Sequence, residues 1–385
     1  MNKKKIKVFF KGSFYFSDSE FCLIKALQAE GIDIRYYIPI ENGRLRGALL
    51  DIKKQYLKTG IYPASIYKEF DIFKDYLDLS HVFVINSPHK SNYHLLNIIL
   101  KIKVLIEIYR FKPDVIHYTA PLTRPWMFLY FLKSKKILTL HDPFTHSGQG
   151  SCLQEKTRRF AFRHSDRIMM LSSENIKPFS RFYSYPLSQI HVSKLGYFDY
   201  LEKYKYDVKK ESNYILFIGQ VFKYKGIEYL LDAMLKVHEK HPEVNLVVAG
   251  GGKYYFDLDS YKDKSFIYIE NRFIEMSRMV GLLKNCLFTV APYTDATQSG
   301  ILTSSFSLCV PIVASKVGQF QEMVRNGENG LLVEPRNVDQ LAQAINRLIE
   351  SPDLLDEMRN NIRKYWIPSQ NWNSIAMDYI SCYMS

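Results

Sequence analysis

Two short stretches of this sequence place groups that can hold a phosphate at the end of a predicted strand. In the first, GQVFKYKG over residues 219–226 follows an apolar strand over residues 214–218 and precedes a helix predicted over residues 227–238. Gly219 permits a tight turn, and Lys225 stands just before the helix. A diphosphate bound there would meet an ammonium group and the positive end of a helix dipole together. The stretch therefore predicts a phosphate-binding loop.

The second stretch is YTDATQSGILTSSFSLCVPIVAS over residues 293–315. A buried strand is predicted over residues 287–291, a polar turn follows it, and Ser299 and Gly300 open an apolar helix. In open α/β sheets ligands bind at the carboxyl ends of the strands, where the N–H groups of the next helix attract an anion. Ser299 suits a helix cap, and Gly300 would let a ligand approach the backbone. An ordinary turn capped by Ser299 fits the same residues equally well.

In the first half of the chain, Gly12 and His141 each follow a predicted strand. Gly12 comes after residues 6–10 and His141 after residues 136–140, so both are expected at carboxyl ends of strands and facing one crevice. His141 could act in catalysis or be a hydrogen-bonded structural residue, and Gly12 could face a ligand or form only a turn. His146 has no third ligand at suitable spacing, so no metal site is predicted.

Apolar runs and helical spacing alternate along the whole chain, which predicts an α/β fold. The length of 385 residues exceeds one ordinary core, so two α/β domains are expected, over residues 1–200 and 201–385. Residues 41–79 are predicted as helix and loop, and residues 121–132 as a helix. The predicted strands cover residues 6–10, 32–39, 81–86, 115–118, 136–140, 167–171, 190–195, 214–218, 244–249, 266–269, 287–292 and 311–315.

The charge balance favours an anionic partner. The chain has 52 Lys and Arg against 39 Asp and Glu, a net charge of +13, which suits nucleic acid, an anionic membrane or a phosphorylated substrate. No nucleic-acid-binding signature appears, so nucleic acid is not expected. The basic residues are densest in the first half and alternate with aromatic residues, which suits an anionic membrane surface. A solvated basic face fits this pattern equally well.

Several features indicate a cytoplasmic chain that does not span a membrane. The five cysteines are scattered without metal-ligand spacing, which is typical of a reduced compartment. The N-terminus, MNKKKIKVFF, leads into a short strand and not into a secretory segment. The longest apolar stretch, residues 95–108, is interrupted by polar and charged residues. Residues 93–111 form a helix with apolar and basic faces, which fits packing on a sheet, with membrane docking as the alternative.

Three motifs in the second half carry a family resemblance. They are IGQVFKYKGIEYLLDA, VNLVVAGGG and APYTDATQSGILTSSFSLCVPIVASKVGQFQEMVRNGENGLLVEP. They resemble, in order, the G-R-x-x-x-x-K-G loop, the second strand with its glycine turn, and the donor-binding core of retaining glycosyltransferases of the GT-B fold, family-4 type. The resemblance covers residues 213–381 and is weaker in the first half, where KPDVIH and LTLHDPFTHSG are similar to a subset of the family. It implies two Rossmann-like domains facing across a cleft and a C-terminal helix that crosses back to the first domain.

The resemblance also implies a role for each matching residue. Lys225 would bind the donor diphosphate, and His141 would lie beside the transferred sugar. Backbone N–H groups of residues 299–301 would face the donor, and Glu322 stands where the family has an acid. The implied donor-binding residues are Gly12, Gly219, Gln220, Lys225, Thr297, Gln298, Ser299, Gly300, Ile301 and Glu322.

Three positions depart from the family pattern. Gln220 replaces the arginine that usually accompanies the lysine of the phosphate loop, and Ala296 and Ser304 stand where the family has two glutamates. A T-Q-S-G subset of the family lacks that glutamate pair as well, so Thr297 and Gln298 would hold the donor differently.

Two hypotheses follow from the motifs and the departures. The first is a retaining, metal-independent glycosyltransferase without a cofactor, which moves a sugar from a UDP- or GDP-sugar to a glycan or lipid-linked acceptor in bacterial surface polysaccharide synthesis. The second is a catalytically inactive GT-B protein that serves as a sugar-nucleotide-binding scaffold.

Overall fold

The structure is a computed structural model, and it describes residues 5–41, 49–50, 52, 59–87, 89, 91, 93–144, 151–206, 213–295 and 299–385. The chain divides into two units. Unit 1 comprises Met1–Gly196 with Asn371–Ser385, and unit 2 comprises Tyr197–Gln370. The division falls close to the boundary predicted at residue 200, and the C-terminal segment returns to unit 1.

Unit 1 is built on an eight-stranded sheet in the order β3-β4-β2-β1-β5-β6-β7-β8. All neighbouring strands are parallel except β3, which runs antiparallel to β4. The strands are β1 (Lys7–Lys11), β2 (Asp33–Glu41), β3 (Gly60–Pro63), β4 (Val82–Ser87), β5 (Val115–Tyr118), β6 (Lys135–Leu140), β7 (Arg167–Met170) and β8 (Ile190–Val192). Because helices cover a parallel sheet, its strands are continuous apolar runs. The order reverses between β1 and β5, which makes the carboxyl ends of these two strands the binding edge expected for such a sheet.

The helices of unit 1 follow the predicted pattern, with two exceptions in the connections. The first four helices are α1 (Ser17–Ala29), α2 (Leu95–Phe111), α3 (Cys152–Arg163) and α4 (Ile176–Tyr183). The helix predicted over residues 121–132 is instead a 3₁₀ helix, Arg124–Phe131, because its bulky aromatic residues lose side-chain freedom in an α-helix. The prediction of helix and loop over residues 41–79 missed β3, a four-residue strand whose proline fits an edge position.

Unit 2 is a six-stranded parallel sheet in the order β11-β10-β9-β12-β13-β14. Its strands are β9 (Tyr214–Ile218), β10 (Asn245–Ala249), β11 (Ile267–Glu270), β12 (Thr289–Ala291), β13 (Ile312–Ser315) and β14 (Gly330–Val333), the last of which was not predicted. Its helices are α5 (Ile227–Lys240), α6 (Asp259–Lys262), α7 (Met276–Asn285), α8 (Gly300–Ser307), α9 (Gln319–Met323), α10 (Val338–Ile349), α11 (Pro352–Asn361) and α12 (Ile367–Ser369). Counted within the unit, the strand order is 3-2-1-4-5-6, the arrangement of dinucleotide-binding sheets, and it reverses between β9 and β12.

The final helix, α13 (Trp372–Met384), packs within unit 1. The hydroxyl of Tyr383 lies 2.7 Å from Nδ1 of His117, a buried residue of β5, and Nε2 of the same ring lies 2.8 Å from the hydroxyl of Thr139. The hydroxyl of Thr139 donates in turn to Tyr379 at 3.2 Å. These contacts attach α13 to the centre of the sheet and confirm that the chain returns to the first domain.

In the described part of the chain, no helix is both long enough and apolar enough to cross a bilayer.

Burial of His117 makes the contribution of this residue to the stability of unit 1 depend on pH. Loss of solvent, and then the nearby His141, lower the pKa of the His117 imidazole from 6.5 to about 3. As the pH falls below 6.5 the unfolded chain takes up a proton that the folded chain excludes, so stability is lost in that direction. At pH 5 the loss from His117 alone is about 2 kcal/mol, and the raised pKa of the buried Glu20 acts in the opposite direction.

Urea unfolding at pH 7 and pH 5 measures this loss. We expect wild type to lose about 2 kcal/mol more than His117→Gln between the two values. Equal losses in the two proteins would show that His117 titrates normally in the fold.

Candidate functional site

The loops that follow β9 and β12 meet at the point where the strand order of unit 2 reverses. Nζ of Lys225 donates a hydrogen bond to the hydroxyl of Tyr293 at 2.5 Å, and it lies 4.2 Å from the centre of that ring. The backbone N–H of Thr294 donates to the carbonyl of Tyr224 at 2.7 Å. The phosphate-binding loop predicted from the first motif and the start of the second motif are therefore one site.

Glycines allow the loops of this site to approach so closely. A Cβ on Gly226 would lie 2.1 Å from the carbonyl oxygen of Pro292, and the φ of Gly226 is 62°. A Cβ on Gly250 would lie 1.9 Å from the carbonyl oxygen of Gly219, and the φ of Gly250 is 145°. Both positions need a residue without a side chain, because an added carbon atom would separate the backbones and strain the left-handed conformation.

Lys225 is a cation in aromatic surroundings. Burial lowers the pKa of its ammonium group, and Tyr224 partly offsets that change. Burial also raises the pKa of the Tyr293 phenol, which keeps the hydroxyl protonated and able to accept from Lys225. Removal of solvent weakens the hydration of the ammonium group, so an entering anion would interact with it more strongly than at an exposed position. The site is therefore suited to a phosphate.

Helix α8 directs its N-terminus to the same edge of the sheet. Ser299 occupies the N-cap position, but its side chain does not cap the helix, which corrects the sequence prediction. The N–H of Ser299 donates instead to Oε1 of Gln319 at 2.9 Å. The first N–H groups of a helix have no carbonyl partner within it, and they carry the positive end of its dipole. Gln319 was missed by the sequence analysis, and it orients the start of α8.

Gly300 is exposed, and a Cβ at this position would meet no atom within 4 Å among the residues that the structure describes, which do not include residues 296–298. The described part of the fold therefore does not require glycine here. We expect Gly300→Ala to leave the melting temperature unchanged or raise it, because alanine is better than glycine in a helix by about 0.5–1 kcal/mol. If a ligand approaches the backbone, the same variant loses about tenfold or more in donor affinity, because the methyl group occupies the place of the ligand. Calorimetric titration with unfolding curves checks both values; unchanged affinity would remove Gly300 from the site.

The other predicted donor-binding residues of unit 2 occupy different environments. Gln220 is exposed at the end of β9, and Glu322 is exposed on α9, the helix that also carries Gln319. Ile301 has a buried side chain in the core, so only its backbone can face a ligand. Thr297 and Gln298, together with Ala296, lie outside the described residues.

One of the departures from the family pattern lies in the interior of α8. Ser304, at the position of the second family glutamate, is buried in that helix.

In unit 1 the residues predicted from sequence gather around a buried carboxyl group. Glu20, on α1, accepts from the backbone N–H of Ser13 at 2.8 Å, from the hydroxyl of Tyr36 at 2.5 Å and from the hydroxyl of Thr119. Desolvation raises the pKa of Glu20 to about 7, although these hydrogen bonds oppose the shift. A Cβ on Gly12 would lie 2.4 Å from Glu20. Packing against Glu20 therefore requires a residue without a side chain at position 12, and the predicted role of Gly12 toward a ligand stays a prediction.

His141 lies at the carboxyl end of β6, as predicted. Its ring stacks on Phe16 with centroids 3.9 Å apart. Together with Glu20, Lys194 and Trp372 it lines a cavity of about 20 Å³, which is room for one water molecule. Glu20 was missed by the sequence analysis, because an acidic residue in the first turn of a helix is ordinarily an exposed group that the helix dipole favours.

In the comparison with known proteins, the part of the chain that matches a family model lies within unit 2. Residues 201–365 match the family model described as glycosyl transferases group 1. An uncharacterized glycosyltransferase of Methanocaldococcus jannaschii is 28% identical over 183 residues, which is 46% of this chain and 46% of the relative. The chain thus spans about half the length of the curated relatives it matches.

Two solved structures resemble the whole chain. Sucrose-phosphate synthase from Thermosynechococcus elongatus has a TM-score of 0.71 at 15% identity, covering 99% of this chain and 98% of that one. HepE of Anabaena, solved in complex with UDP-glucose, has a TM-score of 0.68 at 16% identity, covering 98% and 99%. The chain therefore has the GT-B fold, as predicted.

Proposed function

We propose that this chain is a group 1 glycosyltransferase of the retaining, family-4 type, which moves a sugar from a nucleotide-sugar to an acceptor hydroxyl. The observation that carries the proposal is the hydrogen bond between Lys225 and Tyr293 at the point where the strand order of unit 2 reverses, with the N-terminus of α8 at the same edge. The family match over residues 201–365 and the UDP-glucose bound by the Anabaena structure support a nucleotide-sugar donor. UDP- and GDP-sugars are the donor classes proposed.

In the proposed reaction the bond between the anomeric carbon and the diphosphate oxygen breaks, and a bond from that carbon to the acceptor oxygen forms. The diphosphate leaves with the electron pair of the broken bond, and the proton of the acceptor hydroxyl passes to the diphosphate oxygen that leaves. Lys225 and the N–H groups at the start of α8 stabilise the negative charge that develops on the leaving group. No metal ion is needed in this scheme, because no D-x-D motif stands at a strand end and Lys225 supplies the positive charge. Catalysis rests on positioning and on charge stabilisation.

Unit 1 is proposed to bind the acceptor and to supply His141 to the transfer. Its basic, aromatic sequence suits a glycan or lipid-linked acceptor at the inner face of a bacterial membrane, in surface polysaccharide synthesis. The protein would then be cytoplasmic and peripheral on the membrane.

A second candidate function is a catalytically inactive scaffold that binds a nucleotide-sugar. The observations that favour it are Gln220 in place of the family arginine, and Ala296 and Ser304 in place of the two glutamates. Binding of a donor without turnover is what distinguishes this function from the first.

A donor screen tests the proposed function. Purified protein is incubated with UDP-, GDP-, ADP- and dTDP-sugars, and both the shift in melting temperature and the release of nucleoside diphosphate are measured. A stabilising shift with slow release identifies the donor and supports a transferase that lacks its acceptor. A shift without release, even when glycan acceptors are added, favours the scaffold. No shift with any donor contradicts both.

A further inference from the structure

Helix α2 carries apolar residues on two faces, although only one of them is covered by the sheet. The buried face consists of Asn97, Leu100, Val104, Ile108 and Phe111, at spacings of three and four residues. The uncovered face exposes a second row of large apolar side chains, comprising Leu95, Leu96, Ile98, Ile99, Ile102, Ile106 and Tyr109. A helix on the surface of a globular protein normally presents charged and polar residues there, whereas a helix that is apolar on all sides is buried or in contact with lipid.

The exposure of this row is large. Leu95, Ile102 and Tyr109 are 68%, 51% and 79% exposed, and they lie along nearly the whole length of the helix. Removal of such side chains from water is favourable in proportion to the apolar area that is buried. An apolar partner that covers this face would therefore gain a large favourable free energy from the removal of these side chains from water.

The charges around this face select the kind of partner. Lys101, Lys103 and Arg110 lie on α2, against a single acid, Glu107. That acid is already paired, with its carboxylate 3.4 Å from Arg35 and 3.8 Å from Arg110. The face is therefore apolar with a positive surround, the combination that binds the surface of an anionic bilayer.

Two grooves flank α2, and both are lined by apolar and basic side chains, as the exposed face of the helix is. The larger, about 820 Å³, lies between α2 and the segment before β6; Ile102 and Tyr109 line it, and Lys112 and Lys133 also border it. Asp114 also borders this groove, where its carboxylate accepts from the backbone N–H of Lys7 at 3.0 Å. The second, about 580 Å³, lies between α2 and β3.

We propose that α2 is the membrane-docking element of this protein: its exposed apolar row enters the headgroup region of an anionic bilayer, and the surrounding lysines contact lipid phosphates. The proposal extends the membrane part of the proposed function and rests on it for its biological role. The docking itself does not depend on glycosyl transfer, so the two can fail separately.

Vesicle flotation of the full chain at low salt tests the docking. Wild type is expected to float with vesicles of phosphatidylcholine and phosphatidylglycerol, and to bind vesicles of phosphatidylcholine alone much more weakly. Ile102→Gln/Tyr109→Gln should weaken binding by about tenfold or more, because two inserted side chains become polar. The matched control, Leu187→Gln/Tyr268→Gln, changes two exposed apolar residues elsewhere and should float like wild type.

A second pair of variants tests the charge. Lys103→Gln/Lys133→Gln should weaken binding to anionic vesicles by about tenfold and make it less sensitive to salt. Lys177→Gln/Lys240→Gln removes the same charge from exposed positions on α4 and α5 and should change binding much less.

Three outcomes would overturn the docking proposal. Wild type does not float with anionic vesicles at low salt; the α2 variants bind as tightly as their controls; or light scattering shows a wild-type dimer that Ile102→Gln/Tyr109→Gln dissociates, in which case a second copy covers this face. Donor binding measured on the same variants should equal that of wild type. Flotation without donor binding would leave the docking intact and contradict the proposed function.

Discussion

Lys225→Ala is expected to lose most of the turnover of the enzyme, about 10²–10³-fold. Loss of one charge-assisted hydrogen bond weakens donor binding by about 1.5–3 kcal/mol. Stabilisation of the departing diphosphate is lost as well, and removal of one preorganised donor to a developing charge costs about 10²–10³ in rate. Steady-state kinetics with the donor found in the screen measures the effect.

Lys223 provides the matched control for this experiment. It lies on the same 3₁₀ turn, two residues before Lys225, but its side chain is exposed. Lys223→Ala removes the same charge at nearly the same place and should change turnover by less than about tenfold, because exposed charges are screened by water and salt. Equal losses in the two variants would mean that general positive charge is needed, and not the bond geometry of Lys225.

His141→Ala is expected to reduce kcat by about 100-fold and to leave donor affinity close to that of wild type. The reason is that His141 lies in unit 1, whereas the groups proposed to bind the diphosphate all lie in unit 2. Its contribution would then be made to the reacting sugar and not to the bound nucleotide, so kcat changes more than binding does. Turnover assays and calorimetric titration separate the two quantities.

His164 is a close structural match for His141 and serves as its control. Both rings are partly buried, and both stack on a phenylalanine, with centroids 4.0 Å apart for His164 on Phe160 and 3.9 Å apart for His141 on Phe16. If stacking alone is the role of His141, the two alanine variants should have similar stability and similar turnover. A normal kcat for His141→Ala would therefore assign this residue to the structure of the loop.

The sequence predicted the parts of the fold that depend on local pattern. β5 and β9 were predicted with the bounds that the structure has, because each is a short buried apolar run between turn signals. β3 and β14 were missed, because four residues containing glycine or proline carry little strand signal. The helix predicted over residues 121–132 is a 3₁₀ helix, because its aromatic residues lose side-chain freedom in an α-helix.

In the candidate site, too, features set by neighbouring residues could be predicted from the sequence, whereas contacts between residues far apart in the chain could not. The loop with Lys225 was predicted from glycine, lysine and the following helix, all within a few residues. Its bond to Tyr293 joins residues 68 positions apart, so no periodicity in the sequence indicates it. The contact between Ser299 and Gln319 likewise depends on the sheet, which brings α8 and α9 to one edge.

In unit 1, two residues stood out in the sequence, but their contacts depend on how other elements pack against them. Gly12 was predicted as a ligand-facing or turn residue, and its close contact with Glu20 depends on packing that the local sequence does not indicate. His117 was visible in the sequence as part of an apolar strand, but one of its two hydrogen-bond partners, Tyr383, comes from α13, more than 250 residues later. Such contacts are set by topology and not by local residue pattern.

The most direct test of the central claim is a crystal structure of the protein with bound UDP. We predict that diphosphate oxygens lie about 3 Å from Nζ of Lys225 and from backbone N–H groups of Gly300 or Ile301. A diphosphate bound elsewhere, or absent at saturating UDP while Lys225 still donates to Tyr293, would contradict the claim that this edge of unit 2 is the donor site.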